Sequence, residues 1–175
     1  MPQRLAQSRR TGIALGRGRT RNEIEMKAVI QRVTNADVNV GEKTVGSIGS
    51  GFMILFGAGR GDTRDEADYI AHKIANMRIF SDEHGKMNLS IKDKGGSILA
   101  VSQFTLYADC RRGNRPGFTD AEEPGKADEL YRYFCEALRR EGIEDVQTGV
   151  FGAEMKVALV NDGPVTIILE KEHED

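Results

Sequence analysis

Cysteine is scarce in this chain. Cys110 and Cys135 are the only two, and they form no C-x-x-C pair. That excludes a disulfide scaffold and gives no sign of secretion. The three histidines, His72, His84 and His173, are scattered without metal-ligand spacing. No apolar run approaches membrane-spanning length. The stretch Gly57-Ala58-Gly59-Arg60-Gly61 has the wrong spacing for either nucleotide fingerprint, and no Gly-Lys-Ser/Thr follows it. A nucleotide site is excluded with it. What remains, at 175 residues, is a chain of one domain with a sizeable core.

Charge is spread unevenly. The first 25 residues hold six arginines against two glutamates, a net +4, while the whole chain is −2 and residues 26–175 carry −6. This basic stretch has three glycines and no apolar periodicity, which predicts disorder. It lacks the apolar core of a secretory signal. An upstream translation start, a basic arm for RNA phosphates and a transit peptide are its three readings; its single serine argues against the last. The acidic body does not have the broad basic face of a non-specific nucleic-acid binder. Its best local basic patch is Arg111-Arg112-Gly113-Asn114-Arg115, which reads equally well as a solvated loop.

Apolar patterning predicts about seven strands and two sizeable helices. Residues 27–33 read as a strand, and 37–40 and 44–48 as a hairpin with one wet face. Residues 52–56 are apolar throughout, which marks a strand covered on both faces. Thr63 and Glu66 form a capping-box pattern that opens a helix to about Met77. Ala67, Ile70, Ala71 and Ile74 make its apolar stripe. Pro124 opens the second helix, with Ala127, Leu130, Tyr131, Phe134 and Leu138 as its buried face. Residues 81–95 read as a turn-rich connection around a short strand near Leu89, with His84 exposed. Residues 146–151, 156–160 and 165–169 complete the strands. Strands in runs joined by turns favour an α+β fold with a largely antiparallel sheet system.

Two stretches carry the chemistry. In Gly95-Gly96-Ser97-Ile98-Leu99-Ala100-Val101-Ser102-Gln103-Phe104-Thr105-Leu106, a short apolar run reads as a buried strand. The polar residues at its end either point into a cleft or satisfy nearby backbone groups. In the second, Asn161-Asp162-Gly163-Pro164 interrupts two apolar strands with turn chemistry, which by itself is a plain hairpin. Together they resemble the two signatures of the D-aminoacyl-tRNA deacylases, also called D-tyrosyl-tRNA deacylases. Met26-Lys27-Ala28-Val29-Ile30-Gln31-Arg32-Val33 looks like the family's start. Gly113-Asn114-Arg115-Pro116 and Phe151-Gly152-Ala153-Glu154-Met155 look like its later blocks. The resemblance covers about residues 26–170 and departs from the common pattern at Gly117 and Asp162. It favours the upstream-start reading of residues 1–25, and it leaves 171–175 as a frayed charged end.

The resemblance implies two packed, mostly antiparallel sheets, nearly a barrel, with the two main helices on one side. It implies a cytoplasmic homodimer acting on the aminoacylated 3′ end of tRNA, with no cofactor, metal or membrane. The family hydrolyses the ester between a D-amino acid and the terminal ribose, and it also removes glycine. L-aminoacyl-tRNA must be spared, so the rejecting device has to test the α-carbon alone. In the family a Gly–cis-Pro dipeptide inserted into the partner's site does this; here it corresponds to Gly163 and Pro164, braced by Arg32. Phe151 and Met155 match positions around the terminal adenine. Ser102, Gln103, Phe104 and Thr105 match the catalytic segment. Thr105, then Ser102, is the obvious nucleophile, but a hydroxyl needs a base and the motif holds none. We therefore favour substrate-assisted hydrolysis, with the N–H groups near Phe104 and Thr105 on the developing oxyanion. A threonine-nucleophile hydrolase of another small ester or amide, and a non-enzymatic dimeric RNA-binding module, are the competing readings.

Overall fold

The structure, a computed structural model, describes residues 24–173. Its organising strand is β1, Glu25–Val40, which has hydrogen-bonded partners on both edges. Along one edge lie β2 (Lys43–Ile48) and β3 (Gly51–Gly57), both antiparallel to it. Along the other runs β8, Lys156–Glu172, also antiparallel. Beyond β3 come β6 (Ser97–Ser102) and β7 (Val146–Thr148), each parallel to its neighbour. A small antiparallel pair, β4 (Phe80–Ser81) and β5 (Met87–Leu89), stands apart.

The six-stranded sheet folds over on itself. A Cβ added to Gly46 in β2 would lie 2.9 Å from Leu99 and 3.0 Å from the Thr148 carbonyl. The folded halves enclose one core, with Val33, Val38, Met53, Leu99 and Val101 inside. The opposite face of the sheet meets the helices α1 (Arg64–Asn76) and α3 (Pro124–Arg140) across a second core. A short helix, α2, covers Ile91–Lys94. The expected barrel-like α+β arrangement, helices on one side, is what the chain adopts.

Helix signals work as the physics predicts. The Thr63 side chain accepts from backbone N–H, and Glu66 reaches back to the Thr63 N–H, so both ends of the capping box are made. Strand ends differ more from expectation. Residues 156–160 and 165–169 are one strand, not a hairpin. β8 keeps its direction and pairs Asn161 with Val33 and Thr166 with Gln31, so four residues bulge out opposite Arg32 alone. Likewise 27–33 and 37–40 are one strand, bent by register shifts between Gln31 and Asn35. β7 stops at Thr148, and residues 151–153 turn. β8 runs on through Lys171 and Glu172, paired with Met26 and Glu25, where fraying was expected. Residues 1–23, most of the basic stretch, lie outside the described residues.

The helix–sheet contact centres on Phe134 of α3. It is fully buried and stacks on Phe56 of β3, with ring centroids 4.4 Å apart. Phe134→Ala should cost about 3–5 kcal/mol, because the lost contacts leave a cavity that neither helix can close. Urea unfolding of the variant and the parent checks this.

Candidate active site

The site begins where the parallel ladder of β3 and β6 ends. Phe56 and Ser102 are partners, and one step further the Gln103 N–H donates to the Phe56 carbonyl at 2.7 Å. The chain then makes a 3-10 turn, Phe104–Tyr107. Tyr107 anchors it from below. Its buried hydroxyl donates to the carbonyls of Glu25 (2.6 Å) and Gly57 (2.9 Å). Burial pushes the phenol far up, so it remains a donor. Anchored in this way, the turn leaves Phe104 and Thr105 exposed. The Phe104 ring meets Phe118 edge-on at 5.0 Å. The first N–H groups of such a turn have no acceptor within it.

Ser102, Gln103 and Phe104 line a cleft of about 760 Å³. Phe151 and Met155 line it too, although about fifty residues separate them from the Ser-Gln-Phe segment. Met155 packs so close to Gly149 that an added Cβ there would lie 2.7 Å from its sulfur. Phe151 lies 6.3 Å from the ring of Tyr131, which is fixed by a 2.7 Å bond to the Ala100 carbonyl. The charged residues of the cleft are Arg60, Glu122 and Glu123. Burial works against the charge of Glu122. N–H donation from Glu123 and Gly61, together with the Lys126 ammonium, outweighs it and holds the carboxyl below its usual range.

Thr105 stands just outside this lining. Its hydroxyl accepts a hydrogen bond from the Gln103 amide, and among the described residues no histidine, lysine or carboxylate bonds to it. Gly163, Pro164 and Arg32 do not line the cleft of their own chain. Gly163 and Pro164 sit exposed on the β8 bulge, and the peptide bond between them is cis. Arg32 is nearly buried and donates to the carbonyls of Asp162 (3.1 Å) and Ile79 (2.5 Å). Gly163 has φ +122°, and a Cβ there would come within 3.0 Å of the Arg32 guanidinium. Only glycine fits this approach.

Several known proteins are similar to this chain in structure or sequence. The c-Myc DNA Unwinding Element Binding Protein has a similar structure, with a TM-score of 0.79 and 45% identity over 83% of this chain and 99% of the other. A probable eukaryotic D-amino acid tRNA deacylase has the same fold at a TM-score of 0.73, with 17% identity over 83% of this chain and 99% of its own. The barrel-like α+β fold is therefore one that this chain shares with both proteins. Residues 29–170 match the family model described as D-Tyr-tRNA(Tyr) deacylase. Over 145 residues the chain is 54% identical to a D-aminoacyl-tRNA deacylase of Thermosipho melanesiensis and 55% identical to one of Thermotoga petrophila. Each alignment spans 83% of this chain and 97% of the relative. The chain belongs to the D-Tyr-tRNA(Tyr) deacylase family.

One cluster went unread in the sequence. Asp62, Glu66 and His173 bring ligand-type atoms within 4.8 Å of one another. His173 lay in the segment expected to fray, and Asp62 followed a glycine turn rejected as a nucleotide site. The groups already have protein partners. Asp62 accepts from the Gly59 N–H at 2.6 Å and bonds His173 at 2.9 Å, while Glu66 is held in the capping box. The cluster thus clasps the end of β8 to the start of α1. Burial raises the Asp62 carboxyl to about 6, against the Gly59 and His173 contacts, and Glu66 adds to the rise. Unfolded Asp62 titrates near 3.8, so between these values the native state holds more protons. This group's contribution to stability therefore falls as pH rises from about 4 through about 6. Asp62→Asn lacks that titration. Relative to the parent it should gain stability between pH 4 and pH 7, as measured by urea unfolding at both values.

Proposed function

We propose that this chain is a D-aminoacyl-tRNA deacylase, hydrolysing the ester between a D-amino acid and the 3′-terminal ribose of tRNA. The observation that carries this is the meeting of residues 102–104 with Phe151 and Met155 in one cleft, in a chain of this family. The terminal adenine packs on Phe151 and Met155, where apolar side chains stack on a base regardless of its edge. The ester then lies at the 3-10 turn. Water attacks its carbonyl, the Phe104 and Thr105 N–H groups receive the oxyanion, and the bond to the ribose oxygen breaks. The neighbouring 2′-hydroxyl relays the proton to the leaving oxygen. Thr105 is not the nucleophile in this scheme, because among the described residues its side-chain partner is the Gln103 amide, which cannot take a proton. Ser102 and Gln103 hold the amino acid or the ribose.

Chirality is tested by a second copy of the chain. Among the described residues β8 pairs only with β1, so its outer edge is open along 17 residues. It exposes Val160 and Ile168, an apolar edge of the kind that stable monomers cover. Docking there in a homodimer carries Gly163 and Pro164 to the partner's cleft, with Arg32 bracing the bulge. Backbone carbonyls at that place clash with an L side chain and ignore the nature of a D one. Glycine, with no side chain on either side, passes the same test, which extends the reaction to glycine mischarged onto tRNA-Ala.

Two measurements test the reading. D-tyrosyl-tRNA should be deacylated about a hundredfold or more faster than L-tyrosyl-tRNA; equal rates on both would contradict it. Thr105→Ala should keep turnover within about tenfold, whereas loss of a true nucleophile costs on the order of a millionfold. A substrate ending in 2′-deoxyadenosine should be cut poorly by the parent protein.

A further inference from the structure

We infer that Arg60 binds the phosphate joining the terminal adenosine of the substrate to the preceding nucleotide. The inference rests on the deacylase reading and adds a contact to it. Among the described residues Arg60 is the one cation lining the cleft, and it is exposed. It makes no ion pair with them. The two carboxylates beside it are occupied: Glu122 by Gly61, Glu123 and Lys126, and Glu123 by the first N–H groups of α3, from Gly125 and Lys126. Arg60 is also held in place. Its N–H donates to the Asp120 carbonyl at 2.8 Å, and two residues away on each segment the Glu122 N–H donates to the Ala58 carbonyl at 3.0 Å. Gly59 and Ala121 bridge between these bonds. The guanidinium thus hangs from a fixed backbone at a cleft whose other charged lining residues, among those described, are the two engaged carboxylates Glu122 and Glu123.

The substrate chemistry calls for such a group. With the adenine on Phe151 and the ester at Phe104, the charged part of the terminal nucleotide is its 5′-phosphate. A phosphate in a cleft bordered by two carboxylates needs a cation of its own, and an arginine fork matches its geometry.

Three substrates separate the possibilities: D-tyrosyl-tRNA, 3′-D-tyrosyl-adenosine, and the 5′-monophosphate of that adenosine ester. Arg60→Ala should raise KM about tenfold on the two phosphate-bearing substrates, with kcat little changed, and should leave the unphosphorylated adenosine ester unaffected. Arg60→Lys should recover part of the loss. The slope of log KM against log salt on tRNA should fall by about 0.7 in the alanine variant. Arg140→Ala removes the same charge at the far end of α3, roughly 24 Å from the cleft-lining Pro124, and should do none of this. An equal loss on all three substrates, or no loss on any, would overturn the phosphate contact while leaving deacylation in place. If the unmodified protein turned over none of the three, the deacylase reading itself would fall and the contact with it.

Discussion

The parallel pairing of β3 with β6 is the constraint on which the rest depends. Both strands are buried on both faces. A slip of one residue would send every side chain to the opposite face, so the register is fixed by the two cores together. That register puts Ser102 level with Phe56 and leaves Gln103 to take the last carbonyl. The chain has nowhere to continue the ladder, and it turns. Tyr107 then ties the turn to the ends of β1 and β3. The polar groups at the strand end are therefore aimed by backbone bonds rather than by loop preferences.

The same logic explains the division of labour across the molecule. The cleft is built from the ends of β3 and β6, the 3-10 turn, the 118–123 stretch and the start of α3, the 151–155 turn, and Val157 at the start of β8. The bulge that carries Gly163 and Pro164 is on β8, which among the described residues joins the sheet through β1 alone. On the proposed reading, a chain that keeps its selecting carbonyls away from its own cleft must work in pairs, and stability of the pair becomes part of fidelity. The guanidinium of Arg32 joins the Asp162 carbonyl in the bulge to that of Ile79.

Helices and buried strands were legible in the sequence, because their signals are local. Thr63 with Glu66, Pro124, and the unbroken 52–56 run each act within one turn or one strand. The long strands were not legible. Asn-Asp-Gly-Pro is turn chemistry wherever it occurs, and only pairing with β1 on both sides shows that the strand survives it. The end of β8 was misread for the same reason: its charged residues look solvated until Glu25 and Met26 are seen beside them. Of the cleft, residues 102–104 stand at the end of an apolar run, where position alone reads as a polar strand end, and the resemblance is what singled them out. Phe151 and Met155 look like core until the fold brings them opposite it, and they were singled out by resemblance. Asp62 and His173, more than a hundred residues apart, carry no sequence signal of their contact.

The most direct measurement is a structure of the protein with 3′-deoxy-3′-(D-tyrosyl)amino-adenosine, in which an amide replaces the labile ester. The account predicts the adenine against Phe151 and Met155, the amide carbonyl at the Phe104 and Thr105 N–H groups, and Gly163 and Pro164 of a second chain beside the α-carbon. A ligand bound elsewhere, or bound in this cleft with no second chain near its α-carbon, would contradict it.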